Sequence, residues 1–292
     1  DQSSAASDVY KRQAAGDAGG SIGAAMIGWY QYLGKKRETD GKTDSMNGAY
    51  LGPQYSNDNI KTYLDENGFN YLKLKDSELP EKIADLISQE KVIGWFQGRM
   101  EFGPRALGSR TIIGDARSPK TQKVINLKIK YRESFRPFAP SVREEDISEY
   151  FDIDRPSPYM LLVAEVAKNK QLPMTTEQES YFGLKKLNIA RSEIPAVTHV
   201  DYSARIQSVS KKTNTRYHEM LTVFKEKYGC PVVVNTSFNV RGEPIVCTPS
   251  DAYRCFMRTE MDYLLLNNYL LKKADQQTLK NDSDWKSEFE LD

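Results

Sequence analysis

Three apolar runs constrain the fold of this chain more than any other feature: Lys91–Gln97 (KVIGWFQ), Pro231–Asn235 (PVVVN) and Asp262–Leu271 (DYLLLNNYLL). Short continuous runs of this kind read as buried strands. Between them the spacing turns helical. Pro80–Gln89 sets Ile83, Leu86 and Ile87 on one face behind a Pro in the first turn. Pro119–Lys130 presents Val124 and Leu127 with neighbouring isoleucines. Arg216–Tyr228 carries Tyr217, Met220, Leu221, Phe224 and Tyr228 at helical spacing and stops at Gly229. Thr248 and Pro249 open a helix through Arg258. Glu144–Phe151 reads as a further helix. More strands are expected at Thr111–Ile113, in the Pro-punctuated stretch after Arg136, at Tyr159–Val166, and as a pair at Ile194–Val200 and Arg205–Val209. Strands alternating with helices give the α/β class, with a mixed twisted sheet and flanking helices.

The pattern lapses toward the ends. Residues 1–13 have no apolar period and no initiating Met, and are expected to be a disordered or foreign leader on a fragment of a longer protein. Residues 14–33 read as a Gly-rich turn that opens a helix of small and apolar residues, followed by a polar connection over 34–58. A short helix within 59–74 stops at Gly68. A boundary near residue 75 is expected to divide 14–74 from 75–274, with 167–193 an insertion or flap and 275–292 a charged tail.

Charge singles out one stretch. Between Gly94 and Arg143 there are eleven Lys/Arg and three Asp/Glu, in a chain whose net charge is only +1. The excess is mainly Arg, spaced by Gly, Pro and Phe, and the guanidinium fork suits phosphate and carboxylate oxygens. Two loops leaving buried strands carry polar residues with no packing role. Gly98–Arg110 holds Arg99, Glu101, Arg105 and Arg110; Thr236–Glu243 holds Thr236, Ser237, Asn239, Arg241 and Glu243. Ligands gather at strand ends in α/β sheets. Several arginines aimed at one cavity repel each other unless a polyanion or carboxylates such as Glu101 and Glu133 lie among them, which favours a phosphate-rich small ligand. The plainer readings are a solvated basic surface, single Arg–carboxylate pairs, or a nucleic-acid face with Phe96, Phe102, Tyr131, Phe135 and Phe138 as stacking platforms. A sequence pI of about 7.8 is mild for a nucleic-acid binder.

Composition excludes other classes. No run of 18 apolar residues is present, so no transmembrane helix is expected. No signal peptide is visible. Cys230, Cys247 and Cys255 are too few for a disulfide framework or a zinc site, which points to a reducing, cytoplasmic setting. His199, near Asp201, reads as a ligand contact or a satisfied, partly buried His; His218 reads as surface. Two histidines make a three-His metal site impossible.

The blocks GRMEFGPRALGSR, RESFRPFAPS, IPAVTHVDYSARIQ and NTSFNVRGEPIV, with the terminal strand, resemble carbamoyltransferases of the NodU/CmcH type, from about Ala14 to about Lys272. The resemblance implies a YrdC-like α/β domain preceded by a remnant of a Kae1-like (actin/Hsp70-related) domain. It implies that the YrdC-like part makes carbamoyl-adenylate from carbamoyl phosphate and ATP with Mg²⁺. The Kae1-like part, largely missing here, would then pass the carbamoyl group to a hydroxyl-bearing small molecule with the help of a divalent, iron-type metal. AGDAGGSIGAA resembles the end of the Kae1-like domain, which makes Asp17 a metal ligand and puts Gly19 and Gly20 near nucleotide phosphate; the family's histidine ligands lie upstream of this chain. Lys130-Tyr131-Arg132 and Ser237-Phe238-Asn239 fit the KxR and SxN pairs of YrdC-like proteins. Lys130 and Arg132, with Arg105 from the GRMEFGPRALGSR block, are the expected catalytic residues. Arg99, Glu101, Arg110, Arg136, Thr236, Ser237, Asn239 and Arg241 are expected to bind carbamoyl phosphate and ATP. A nucleotide- or RNA-binding module without catalysis is the alternative. No membrane partner is expected.

Overall fold

A computed structural model describes residues 17–38, 44 and 46–277. The leader 1–13 and most of the tail lie outside the described residues. Helix α1 (Asp17–Met26) continues as a π-helical turn, Ile27–Tyr32. Then come α2 (Asn57–Glu66), β1 (Leu72–Lys73), α3 (Leu79–Ser88), β2 (Ile93–Phe96), β3 (Arg110–Asp115), α4 (Thr121–Lys128) and β4 (Ala139–Arg143). They are followed by β5 (Val163–Glu165), β6 (Ser203–Arg205), β7 (Gln207–Val209), α5 (Thr215–Tyr228), β8 (Val232–Ser237), α6 (Pro249–Arg258), β9 (Tyr263–Leu266) and β10 (Tyr269–Lys272). The main sheet has the order β1-β10-β9-β2-β3-β8-β4-β7, and β5 and β6 form a separate ribbon. The β2–β9 and β4–β7 pairs are parallel and the others antiparallel, so the sheet is mixed as the alternation predicts.

The core is built from the three apolar runs, Lys91–Gln97, Pro231–Asn235 and Asp262–Leu271. Ile93, Trp95, Val232, Val233, Val234, Leu264, Leu265 and Leu266 are all fully buried. Helix α3 lays Ile83, Leu86 and Ile87 against the sheet, and α5 adds Tyr217, Met220, Leu221 and Phe224. Gly229 closes α5 at φ +74, a conformation that costs glycine nothing. Thr248 and Asp251 form a reciprocal capping box at the start of α6.

Several expectations need correction. Asp262–Leu271 is a hairpin and not one strand, because Asn267 turns the chain at φ +49 and β10 folds back on β9. Ile194–Val200 is a 3-10 turn around Pro195–Val197, and the expected pair is replaced by β6 and β7, each of three residues. Only Val163–Glu165 of the Tyr159–Val166 run is extended. The boundary near 75 falls inside packed structure. There β1 pairs with β10, the Leu74 N–H donates to the Asn268 carbonyl, and Phe69 stacks on Tyr253 at 3.7 Å between centroids. The Gly-rich turn is helical from Asp17. His218 is buried, with Nε2 3.0 Å from both carboxylate oxygens of Glu145. Among the described residues no helix is long and apolar enough to cross a membrane.

Candidate anion-binding site

Strand direction brings the chemistry to one rim of the sheet. Phe96 pairs with Arg110, Thr111 with Ser237, Ala139 with Asn235 and Ser141 with Gln207. The end of β2, the start of β3, the end of β8 and the starts of β4 and β7 therefore lie side by side. At this rim a cavity of about 150 Å³ is walled by Arg105, Arg132, Arg205, Asn235, Thr236 and Ser237, with Phe138 and Met160 among its apolar neighbours. The two loops picked out by sequence meet here, more than a hundred residues apart along the chain.

Three guanidinium groups share the cavity. Arg132 is held by Nε donation to Asn126 Oδ1 at 2.8 Å and lies 5.0 Å over the Phe138 ring. Burial, then Arg136 and Arg241, lower its pKa to about 10, against the pull of Glu133. Arg205 is lowered to about 10 by burial and by the charge of Arg105. Its Nη2 reaches Met160 Sδ at 3.9 Å and its Nε has no hydrogen-bond partner. No acidic group pairs with it among the described residues. Partly buried cations that depress one another favour an anion between them.

Lys130 stands behind this wall. Its Nζ donates to the Ser237 carbonyl, to Asn239 O at 2.8 Å and to Asn239 Oδ1 at 2.6 Å, with Ser237 Oγ at 3.3 Å. Ser237 Oγ in turn donates to Asn239 Oδ1 at 2.7 Å, and Asn239 Nδ2 to the Glu243 carbonyl at 2.6 Å. Burial and Arg132 bring the Lys130 pKa down to about 7. Tyr131, between the two cations, sits at φ +47, a region aromatic residues rarely adopt. The reversal sends Lys130 into the Ser237–Asn239 turn and leaves Arg132 at the cavity. The two expected pairs therefore do meet, but Lys130 braces the turn and Arg132 faces the void.

Other expected site residues do different work. Glu101 is buried, and its Oε1 accepts from the backbone N–H groups of Leu107 and Ser109, each at 2.7 Å, and of Arg110 at 3.2 Å. Burial pushes its carboxyl up while those N–H groups hold it down. Those three contacts shape the loop. Arg110 has no exposed surface. Its guanidinium lies 3.5 Å over the Phe96 ring and donates to the carbonyls of Gln97, Ser109 and Pro53. Neither residue lines the cavity. Arg136 and Arg241 flank Glu133 at 3.2 and 3.8 Å, outside the void. Arg99 is exposed and belongs to a second, more open pocket of about 430 Å³ with Lys212 and Arg216.

The basic stretch is thus not one exposed face. Arg117 makes a two-pronged contact with Asp115, Arg143 pairs with Asp146, and Lys128 with Glu260. Gly19 and Gly20 lie inside α1, and a Cβ on Gly20 would meet nothing within 4 Å. The side chain of Asp17 lies outside the described residues. Among the described residues there is no group of three or more His, Cys, Asp or Glu that could hold a metal ion. Sequence reasoning missed Arg205 and Asn235. The signal for Arg205 was an arginine between two fully buried residues, Ala204 and Ile206. For Asn235 it was an amide ending a run of three valines.

The family described as "Carbamoyltransferase C-terminus" matches residues 84–273. An uncharacterized protein of Synechocystis sp. is 57% identical over 98% of this chain and 46% of its own length. Nodulation protein NolO of Bradyrhizobium diazoefficiens is 37% identical over 91% of this chain and 45% of its own length. The 3'-hydroxymethylcephem-O-carbamoyltransferase of Streptomyces clavuligerus is 34% identical over 63% of this chain and 31% of its own length. The chain thus spans less than half the length of these relatives. Among solved structures, full-length HypF in the phosphate- and nucleotide-bound form aligns with a TM-score of 0.41 at 15% identity, over 68% of this chain and 26% of that one.

Proposed function

The chain belongs to the carbamoyltransferase C-terminus family, and from that premise we propose that the cavity at the sheet rim holds the phosphate of carbamoyl phosphate. The observation that carries this reading is Arg205: a partly buried guanidinium without an acidic partner, lowered to about 10 by burial and Arg105, facing the same small void as Arg132. A phosphate dianion there would offset three like charges at once and accept the bidentate donation guanidinium offers.

On this reading the chain activates the carbamoyl group with ATP. Water cleaves carbamoyl phosphate to carbamate and phosphate. A carbamate oxygen then attacks the α-phosphorus of ATP, and pyrophosphate leaves to give carbamoyl-adenylate. Mg²⁺ arrives with the triphosphate as part of the substrate. Charge develops on phosphoryl oxygens, so fixed cations are the main catalytic resource. Arg105, Arg132 and Arg205 supply them, while Thr236 and Ser237 offer hydroxyls at the wall. Lys130 keeps the Ser237–Asn239 turn in place. The other part of the longer protein would pass the carbamoyl group to an acceptor hydroxyl, and the acceptor and the divalent metal belong to that part. A cytoplasmic setting goes with this reading.

The test is ATP–pyrophosphate exchange. Purified chain should exchange label only when carbamoyl phosphate is present. Arg132→Ala and Arg205→Ala should each lower the rate by roughly 100-fold or more, the scale for loss of one preorganised charge-stabilising donor. Exchange that persists in both variants near the wild-type rate would place the chemistry elsewhere.

A further inference from the structure

We infer that Asn235 reads the amino end of the carbamoyl group and so separates carbamoyl donors from acyl donors of the same shape. The inference rests on the phosphate site proposed above and adds the recognition of the opposite end of the ligand.

Asn235 is 1% exposed and forms part of the cavity wall beside Thr236 and Ser237. Its amide orientation is fixed by its neighbours. Nδ2 donates to the Ala106 carbonyl at 2.9 Å and to Gln207 Oε1 at 2.7 Å. Gln207 is itself oriented, because its Nε2 donates to the Leu107 carbonyl at 2.8 Å and its Oε1 also accepts from Ser141 Oγ at 2.5 Å. Two backbone carbonyls, which can only accept, thus set the direction of both amides. Turning either one over would bring oxygen against oxygen. The consequence is that Asn235 Oδ1 is left as a buried acceptor with no partner, on a residue that lines the cavity.

An unmet buried acceptor is costly and is normally satisfied. Here the neighbouring cations cannot be its only purpose, since a phosphate draws them away. The group it suits is an uncharged N–H donor bonded to an anion of about the size of this cavity. A carbamoyl group offers that donor: one end is –NH₂ and the other carries the phosphate. An acetyl group puts a methyl in the same place and leaves Oδ1 unmet. A site built to hydrogen-bond a substrate N–H rejects the analogue lacking it far more strongly than a hydrophobic pocket rejects a methylene. The –NH₂ survives from carbamoyl phosphate through carbamate to the adenylate, so one acceptor serves every step.

The experiment compares two stable phosphonates by calorimetry on the purified chain. Phosphonoacetamide carries –NH₂ where acetonylphosphonate carries –CH₃, and the two are otherwise alike. Wild-type chain should bind phosphonoacetamide at least about tenfold more tightly. Asn235→Ala should bring the ratio close to one without weakening acetonylphosphonate. Equal binding of the two by the wild type, or a ratio that survives in Asn235→Ala, overturns the inference and leaves the phosphate site standing. Binding of neither compound, or of inorganic phosphate, by the wild type removes the phosphate site and the inference with it. If Asn235→Ala fails to fold, the wild-type ratio alone decides.

Discussion

Lys130 and Arg205 are two cations whose charged forms the fold disfavours, and the consequences differ. Arg205 faces a ligand, so its penalty is relieved by binding. Arg205→Met should leave the unliganded chain at least as stable as wild type in thermal melts. It should also abolish the rise in melting temperature that inorganic phosphate gives the wild type, a rise expected from linkage. Loss of several degrees in the unliganded variant would show that Arg205 is a structural tie instead. Lys130 faces protein oxygens. Its folded pKa of about 7 lies below the ordinary lysine value, so through the interval between the two the unfolded chain holds a proton the folded chain lacks. Stability contributed by Lys130 therefore rises with pH above about 7 and is flat below it, with a slope approaching roughly 1.4 kcal/mol per unit. Urea denaturation of wild type and Lys130→Met at about pH 6, 7.5 and 9 isolates this dependence as the difference between the two. A constant difference would mean that the four surrounding oxygens keep the ammonium charged throughout. These roles were only half legible. The KxR and SxN spacings marked the right residues, but spacing cannot say which cation points into a wall and which into a void. That is decided by the backbone reversal at Tyr131, which no local signal announces.

At the scale of elements, the site depends on close approach between β2 and the turn after β8. Gly94 on β2 lies under Phe238, and a Cβ there would come within 2.5 Å of the Phe238 ring. Phe238 is fully buried and sits between Ser237 and Asn239. Gly94→Ala must therefore displace the ring and the turn that carries the cavity wall. The expected result is a loss of about 1–3 kcal/mol in denaturation, the usual cost of overpacking, and a loss of exchange activity beyond what the stability change explains. Glu101 does the same work from the other loop: three N–H groups converge on one oxygen and shape the segment carrying Arg105. Glu101→Gln retains an acceptor oxygen and should keep most activity, whereas Glu101→Ala should lose stability and exchange together. Equal damage in the two variants would show that the charge matters and not the geometry. Element identity was legible where periodicity and caps agree, as in α3, α5 and α6. It failed where a turn lacked its usual residue. The Asn267–Asn268 turn contains no Gly, so β9 and β10 read as one strand, and the three-residue strands β5, β6 and β7 are too short to show a period. Arg205 was lost with them. The basic stretch was overread for a related reason. Charge density along the sequence does not reveal burial, and Arg110, Arg117 and Arg143 proved to be tied inside the fold.

At the scale of the molecule, the sheet and its rim are assembled wholly within residues 57–272, and every residue assigned to the cavity lies there. The family matches residues 84–273, while the relatives extend to about twice the length or more. Activation and transfer should therefore be separable. The chain by itself is expected to support carbamoyl-phosphate-dependent pyrophosphate exchange while transferring no carbamoyl group to any alcohol. Transfer should appear when the remainder of a full-length relative is added. Radiolabelled carbamoyl phosphate followed into both products, pyrophosphate exchange on one side and carbamoylated alcohol on the other, measures the two reactions in one preparation. Transfer by the chain alone would show that an acceptor site lies within the described fold. The 430 Å³ pocket around Arg99, Lys212 and Arg216 would then be the place to look, because it is the larger opening and lies apart from the residues that wall the cavity. Arg99→Ala, which leaves the cavity intact, would in that case lower transfer and spare exchange. The opposite pattern, exchange lost and transfer kept, would put carbamoyl activation in the larger pocket and reverse the assignment of the two voids.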